Sequence, residues 1–295
     1  MSDDDPRPPD AATHTVLSVL RGAEAWLTKR GIDAPRRSAE LLLGKVLGLT
    51  RLALYLAHDR PLTGDERTAM RSLLARRGDG EPVAHLLGSW SFRGLELEVS
   101  PAVLIPRPET EELVDEVLPL LPAAPRVLDL GTGSGAITIA LAVACPAARF
   151  VAIDISQNAL AIAARNAARH GVADRVEFRC GSWWQAVPAE ATFTTVVSNP
   201  PYIDPAASEP LAADVRAHEP PLALFTARGD VLSCYRPILA GLERQLEPGG
   251  WFVAETGVGA AAPALAWLQS LPFLTAAALR RDLAGSDRFL LAQRV

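Results

Sequence analysis

The chain has 295 residues, 49% of them hydrophobic, which suits two ordinary domains with sizeable cores. Its net charge of −5 argues against strong non-specific attraction to nucleic acid or anionic membrane and favours a protein or small-molecule substrate. No stretch approaches the ~18 uninterrupted apolar residues of a membrane span. Cys145, Cys180 and Cys234 form no CxxC or Cys/His cluster, which points away from a zinc site and towards a reducing cytoplasm.

Residues 1–12 are rich in Asp and Pro and lack the apolar core of a signal peptide, so a disordered tail is expected. Residues 13–88 read as a small helical bundle. Val16, Leu20, Ala23 and Leu27 share one helical face ahead of Gly31; Pro35 opens a second helix carrying Ala39, Leu42, Leu43 and Val46 before Gly48. Thr50 and Thr63 are expected N-caps of two further helices, the second carrying Met70, Leu73 and Leu74. From Thr13 to Trp90 there are 12 Lys and Arg against 8 Asp and Glu, a mildly basic unit in an acidic chain. Most of those charges are expected on solvated faces, the alternative being a docking surface for an acidic partner.

Residues 89–110 read as a β-hairpin around Arg93-Gly94 followed by a proline-rich linker, Val103 to Glu111, with a helix expected over Glu111 to Leu121. From residue 111 to 295 the texture is that of a sheet with helices on its faces. Strands are expected at Arg126–Leu130, Arg149–Asp154, Arg175–Arg179, Phe193–Ser198 and Trp251–Glu255. Later ones near Thr275–Arg280 and Arg288–Gln293 would pair as an antiparallel edge. Helices are clearest over Gly135–Ala144 and Ser156–His170, with Ser156 as N-cap and Gly171 as stop.

The first of these strands runs into Gly131-Thr132-Gly133-Ser134-Gly135 and a helix, an order that lets a ligand approach the backbone closely. Its G-x-G-x-G spacing is not the G-x-G-x-x-G of a dinucleotide site. Asp129 stands before the turn, where a carboxylate can take the ammonium or an ordered water of an amino-acid-like ligand. Asp154 ends the next strand, where it can accept both ribose hydroxyls. A ribose and an amino-acid group without phosphates describe S-adenosyl-L-methionine. Trp183 and Trp184 follow the third strand; adjacent side chains point different ways, so Trp183 is assigned beside the adenine and Trp184 to the core.

The strand Phe193–Ser198 delivers Asn199-Pro200-Pro201-Tyr202. Two prolines leave the chain as a stiff loop, and the Asn199 side-chain oxygen with the Pro200 carbonyl can hold both hydrogens of an –NH2 group. An isolated Asn-Pro more often just starts a turn.

Leu104-Ile-Pro-Arg-Pro-Glu-Thr-Glu111, Asp129 to Gly135, Ser198 to Ile203 and Val215-Arg-Ala-His-Glu-Pro220, in this order behind a helical bundle, resemble the release-factor glutamine methyltransferases. The resemblance covers nearly the whole chain after the tail. It implies a Rossmann-like class I methyltransferase α/β sheet with an N-terminal substrate-docking bundle, and methyl transfer from S-adenosyl-L-methionine to the amide nitrogen of the glutamine in the Gly-Gly-Gln motif of peptide-chain release factors. On that resemblance Gly131, Thr132, Gly133, Ser134, Gly135 and Asp154 hold the cofactor, Trp183 flanks its base, and Asn199, Pro200, Pro201 and Tyr202 hold the glutamine. The chain departs from expectation at Ser182, where an acidic residue would precede the tryptophan.

An amide nitrogen is a poor nucleophile, so positioning must carry much of the catalysis, with no metal or covalent intermediate required. Tyr202 is expected to act as a wall beside the planar amide. His85, His170 and His218 have no ligand or nucleophile spacing and are read as structural or surface groups, and Glu109 and Glu219 as fixed loop contacts. An enzyme acting on an adenine amine in DNA or RNA could use the same clamp on a flipped base, but it would want a strongly basic groove. A non-catalytic binding module is opposed by the intact clamp and glycine turn. The expected enzyme is a cytoplasmic monomer without stable nucleic-acid or membrane binding.

Overall fold

Alternation along the central strands settles how the sheet is covered. The computed structural model describes residues 14–206 and 211–295, so the expected tail lies outside the described residues. Two compact units are present: one comprises the chain up to Leu87 with Ala213–His218, the other Gly88–Ala212 with Glu219–Val295.

The first unit opens with α1 (Val16–Lys29), whose buried residues are Val16, Leu20, Ala23 and Leu27, the stripe its sequence spacing predicts. Thr15 caps it by accepting from the Ser18 N–H. In α2 (Pro35–Leu47) proline sits in the first turn and Gly48 closes the helix at φ 64°. Thr50 caps α3 (Arg51–Leu56), and Thr63 with Glu66 forms a reciprocal capping box on α4 (Gly64–Gly78). A short α5 (Val83–Leu87) follows.

The second unit begins with the hairpin β1 (Ser89–Phe92) and β2 (Leu95–Glu98). The next helix, α6, spans Pro108–Val117 and not 111–121, and a 3-10 turn occupies Leu118–Leu120. The shift has a simple cause: Pro108 fits the first turn, where no N–H is needed, and Pro119 cannot continue the helical ladder. Then come β3 (Arg126–Leu130), α7 (Ala136–Ala144), β4 (Arg149–Asp154), α8 (Gln157–Arg169), β5 (Val176–Cys180) and β6 (Phe193–Ser198). The short α9 (Ala213–His218) belongs to the first unit, where the buried Arg77 pairs with Asp214 at 3.6 Å. After α10 (Pro221–Leu224) and α11 (Tyr235–Gln245), β7 spans Leu246–Glu255, starting five residues before the expected Trp251 because a register shift against Phe193 and Thr195 accommodates Gly249-Gly250. The chain ends with α12 (Val258–Ser270), β8 (Leu274–Arg281) and β9 (Asp287–Arg294).

The sheet order is β5-β4-β3-β6-β7-β9-β8, parallel through β7, with β9 antiparallel to both its neighbours. Val127, Val197, Val253 and Leu291 pack with α6 and α7 in one core; Leu128, Val196, Phe252 and Leu290 pack with α11 and α12 in the other. The order reverses between β3 and β6, and a crevice opens beyond the carboxyl ends of strands at such a switch point. Continuing the parity past Val197 and Val253 puts Asn199 and Glu255 on the α6 face, two residues on.

Candidate active site

The turn after β3 is shaped by φ values that only glycine takes without strain: 81° at Gly131, 56° at Gly133 and 82° at Gly135. Gly135 is also sterically closed, since a Cβ there would come 3.0 Å from Ile139 and 3.1 Å from Ala163. Asp154 supports the turn from β4. Its Oδ2 accepts from the Gly133 N–H at 2.8 Å and its Oδ1 from the Ser156 N–H at 2.8 Å. Each oxygen keeps a lone pair, and burial raises the carboxyl pKa against those bonds.

Asp129 lies beneath the turn. It is fully buried, and its Oδ2 accepts from the Thr132 and Thr138 hydroxyls, each at 2.7 Å. Its Oδ1 is buried with no hydrogen-bond partner among the described residues, and desolvation pushes its pKa up to about 6. Asn166 of α8 ties the turn to the hairpin: its Nδ2 donates to the Ser134 and Glu98 carbonyls, and its Oδ1 accepts from the Glu98 N–H.

Trp183 begins a 3-10 turn after β5 with φ 49°, a sparsely populated value for a bulky residue, and its ring edge is 3.9 Å from where a Gly131 Cβ would stand. Trp184 points the other way. Its Nε1 donates to the Pro237 and Ile238 carbonyls at 2.9 Å, and its ring fills the space that a side chain on Gly241 would need.

At the end of β6 the Asn199 amide is held from behind. Its Nδ2 donates to Thr110 Oγ1 at 3.1 Å and to Glu255 Oε2 at 3.0 Å, while the Thr110 hydroxyl donates to the same Glu255 oxygen at 2.7 Å. Glu255 Oε1 accepts from the Tyr202 hydroxyl at 3.2 Å. Thr110 and Glu255 both take the Nδ2 end of the amide, so Oδ1 is the end left for the cavity that Asn199 lines. Glu255 is 1% exposed; burial raises its pKa while the Thr110 bond and the Arg288 charge oppose the rise. The Tyr202 ring packs against Gly257, where a Cβ would come within 2.6 Å, and burial with the neighbouring Glu255 raises the phenol pKa.

The segment read as a linker forms a wall of the same unit. Buried Glu219 fixes it, accepting from the Ile105 N–H at 3.0 Å and pairing with Arg107 at 2.5 Å, the loop contact expected of that residue. A cavity of about 300 Å³ opens between this segment, the glycine turn and the clamp. Gly131, Thr132, Gly133, Ser134, Asp154, Trp183, Asn199 and Pro201 line it. Asp129, Gly135, Pro200 and Tyr202 do not: the first two support the turn, and Tyr202 stands behind Asn199 on the Glu255 carboxylate and is not itself a cavity wall. Sequence reasoning missed Thr110, Glu255 and Asn166; strand parity was the signal that could have placed Glu255.

The lining suits an adenosyl amino acid better than a phosphate ester. No Lys or Arg is among the described residues that line the cavity, Asp154 offers free lone pairs to hydroxyl hydrogens, and Trp183 supplies an apolar face. Cys234, which lines the cavity, and Cys145 and Cys180 are free; no group of metal-ligating side chains is found among the described residues, and none of the described helices is long and apolar enough to cross a membrane.

The mostly parallel seven-stranded sheet, with its glycine turn after β3 and its last strands reversed, is a class I methyltransferase fold. A methyltransferase-domain family matches residues 123–283, and a family described as PrmC N-terminal domain matches residues 18–88. The chain is similar to the release factor glutamine methyltransferase of Geobacter sulfurreducens, 42% identical over 84% of this chain and 86% of that one. It is 45% identical to the Bordetella pertussis protein of the same name over 86% of this chain and 93% of that one. The Nitratidesulfovibrio vulgaris protein, also so named, is 38% identical over 97% and 98%. The chain belongs to the release factor glutamine methyltransferases.

Proposed function

We propose that this chain transfers a methyl group from S-adenosyl-L-methionine to the side-chain amide nitrogen of the glutamine in the Gly-Gly-Gln motif of peptide-chain release factors. The observation that carries this reading is the Asn199 amide, whose oxygen faces the cavity that also holds the glycine turn and Asp154. Gly131 to Ser134 would accommodate the cofactor's amino-acid end, Asp154 its ribose and Trp183 its base. When bound, S-adenosyl-L-methionine supplies an electrophilic methyl group on a sulfonium.

The rest is positioning. Asn199 Oδ1 accepts one hydrogen of the substrate –NH2 at the cavity wall, which aims the nitrogen and draws that hydrogen towards an oxygen as positive charge develops. The carbonyl of the next residue, Pro200, which does not itself line the cavity, would take the second hydrogen once the amide is seated. The apolar walls from Val103, Pro106 and Pro201 exclude water. The nitrogen that gains the methyl group gives up one of its two hydrogens as a proton, which passes to solvent as the product leaves; Glu255 and Tyr202 hold the clamp from behind and carry no proton in this scheme. The helical bundle docks the release factor, and the enzyme works as a cytoplasmic monomer.

The test is mass spectrometry of a release factor after incubation with enzyme and cofactor. A gain of one methyl mapped to the Gly-Gly-Gln glutamine is the expected outcome. Label entering nucleic acid in a parallel incubation, with none in the release factor, would overturn the substrate class.

A further inference from the structure

A primary amide has an acceptor end and a donor end of nearly the same shape. If the Asn199 side chain turned over, it would offer hydrogens to a substrate –NH2 that also brings hydrogens, and the contact would change from attractive to repulsive. Something must fix which end faces the cavity. The prolines fix only the backbone.

Resting on the amide-clamp reading above, we propose that Thr110 and Glu255 are positioning residues that set the polarity of Asn199 and thereby the productive orientation of the substrate amide. The hydrogen bonds run in one direction. Both carboxylate oxygens of Glu255 act as acceptors, Oε1 from the Tyr202 hydroxyl and Oε2 from the Thr110 hydroxyl at 2.7 Å, so the single Thr110 hydrogen is committed to Glu255. The hydroxyl then has only lone pairs left for Asn199, and both it and the carboxylate demand the Nδ2 hydrogens, at 3.1 and 3.0 Å. A reversed amide would set Oδ1 against two acceptors. Thr110 and Glu255 are 4% and 1% exposed, so water does not compete for these bonds. Tyr202 completes the arrangement by donating to the other carboxylate oxygen.

Asn199 follows directly on β6 and Glu255 ends β7, and parity puts both on the sheet face that α6, carrying Thr110, covers. Glu255 does not line the cavity, whereas Thr110 does, so its action through Asn199 is isolated by comparing its loss with and without the Asn199 side chain. Their effect passes through Asn199, which makes the inference separable from general structural support.

The experiment is single-turnover methylation of a release factor at saturating cofactor, with cofactor affinity measured by calorimetry on the same preparations. Thr110→Val keeps the volume and removes the hydroxyl; it is expected to slow transfer about 10-fold with cofactor affinity unchanged. Thr110→Ser is expected to recover most of that loss. In an Asn199→Ala background, adding Thr110→Val is expected to cost nothing further, because the group it orients is gone. Glu255→Gln, which lets the chain of bonds run either way, repeats the comparison should Thr110→Val fail to fold. Equal losses with and without Asn199, or a serine variant as slow as the valine one, would overturn the positioning role. Full activity in Asn199→Ala alone would instead overturn the amide-clamp reading.

Discussion

On the glycine-turn side of the cavity, groups are placed by main chain close at hand: positive-φ glycines bend the loop, and backbone N–H groups of Gly133 and Ser156 fix the Asp154 carboxylate. On the clamp side, Asn199 is placed by side chains 89 and 56 residues away, at Thr110 and Glu255. The turn takes its bend from its own glycines, with Asp154 and Asn166 bracing it from β4 and α8, whereas the clamp has no such local source of shape and depends on three separate elements keeping their register. Damage on the first side should therefore register as altered ligand affinity or stability, and damage on the second as altered turnover.

The strongest challenge to that contrast is Asn199→Ala. It should raise the transfer barrier by about 2–4 kcal/mol, comparable to losing one oriented group in other active sites, while S-adenosyl-L-methionine affinity holds. Unchanged single-turnover rates would erase the distinction. Asp154→Asn should do the reverse, weakening cofactor binding by about 1.5–3 kcal/mol as a charged acceptor is lost, with turnover at saturating cofactor retained. Calorimetry and a saturation curve report the two quantities separately.

Asp129 sharpens the comparison through pH. Its pKa is raised to about 6 in the folded chain, so it binds a proton more tightly folded than unfolded. Its contribution is fully present below the unfolded carboxylate value near pH 4 and is lost as pH rises through about 6. In the cofactor-free protein the group should withdraw on the order of 2 kcal/mol between pH 4 and 7, and Asp129→Asn should remove that part of the slope. Parallel stability curves for wild type and variant would rule this out. The smallest effect is expected at Ser182, which lines the cavity beside Trp183. Ser182→Asp should change cofactor affinity by about 1 kcal/mol or less and leave turnover alone, since it adds one acceptor at the wall.

The same contrast explains what could be read from the amino-acid order. The α1 stripe, the Thr63 capping box, the glycine turn and Ser156 are local patterns whose physics plays out within a few residues. Asp154 was legible because a strand-end carboxylate about 20 residues beyond a glycine turn has one geometry in such a sheet. Thr110 looked like part of a linker and Glu255 like an ordinary strand end, since their meaning arises only when β6 and β7 pair and α6 covers them. Tyr202 shows the limit most plainly. Its neighbours in sequence suggested a wall, but the absence of a Cβ at Gly257 lets its ring settle behind Asn199.

Pro200 and Pro201 carry no N–H, so on the proposed reading the loop after β6 meets its substrate with acceptors only. Such a surface counts hydrogens. The unmodified amide brings two and satisfies both oxygens, but once one has been replaced by a methyl group, the product can satisfy only one. The enzyme would then hold its product less well than its substrate, and a second methylation would begin from a mis-seated amide. On that reading, release after a single methyl transfer would follow from a loop that has acceptors to offer at this point and no proline N–H.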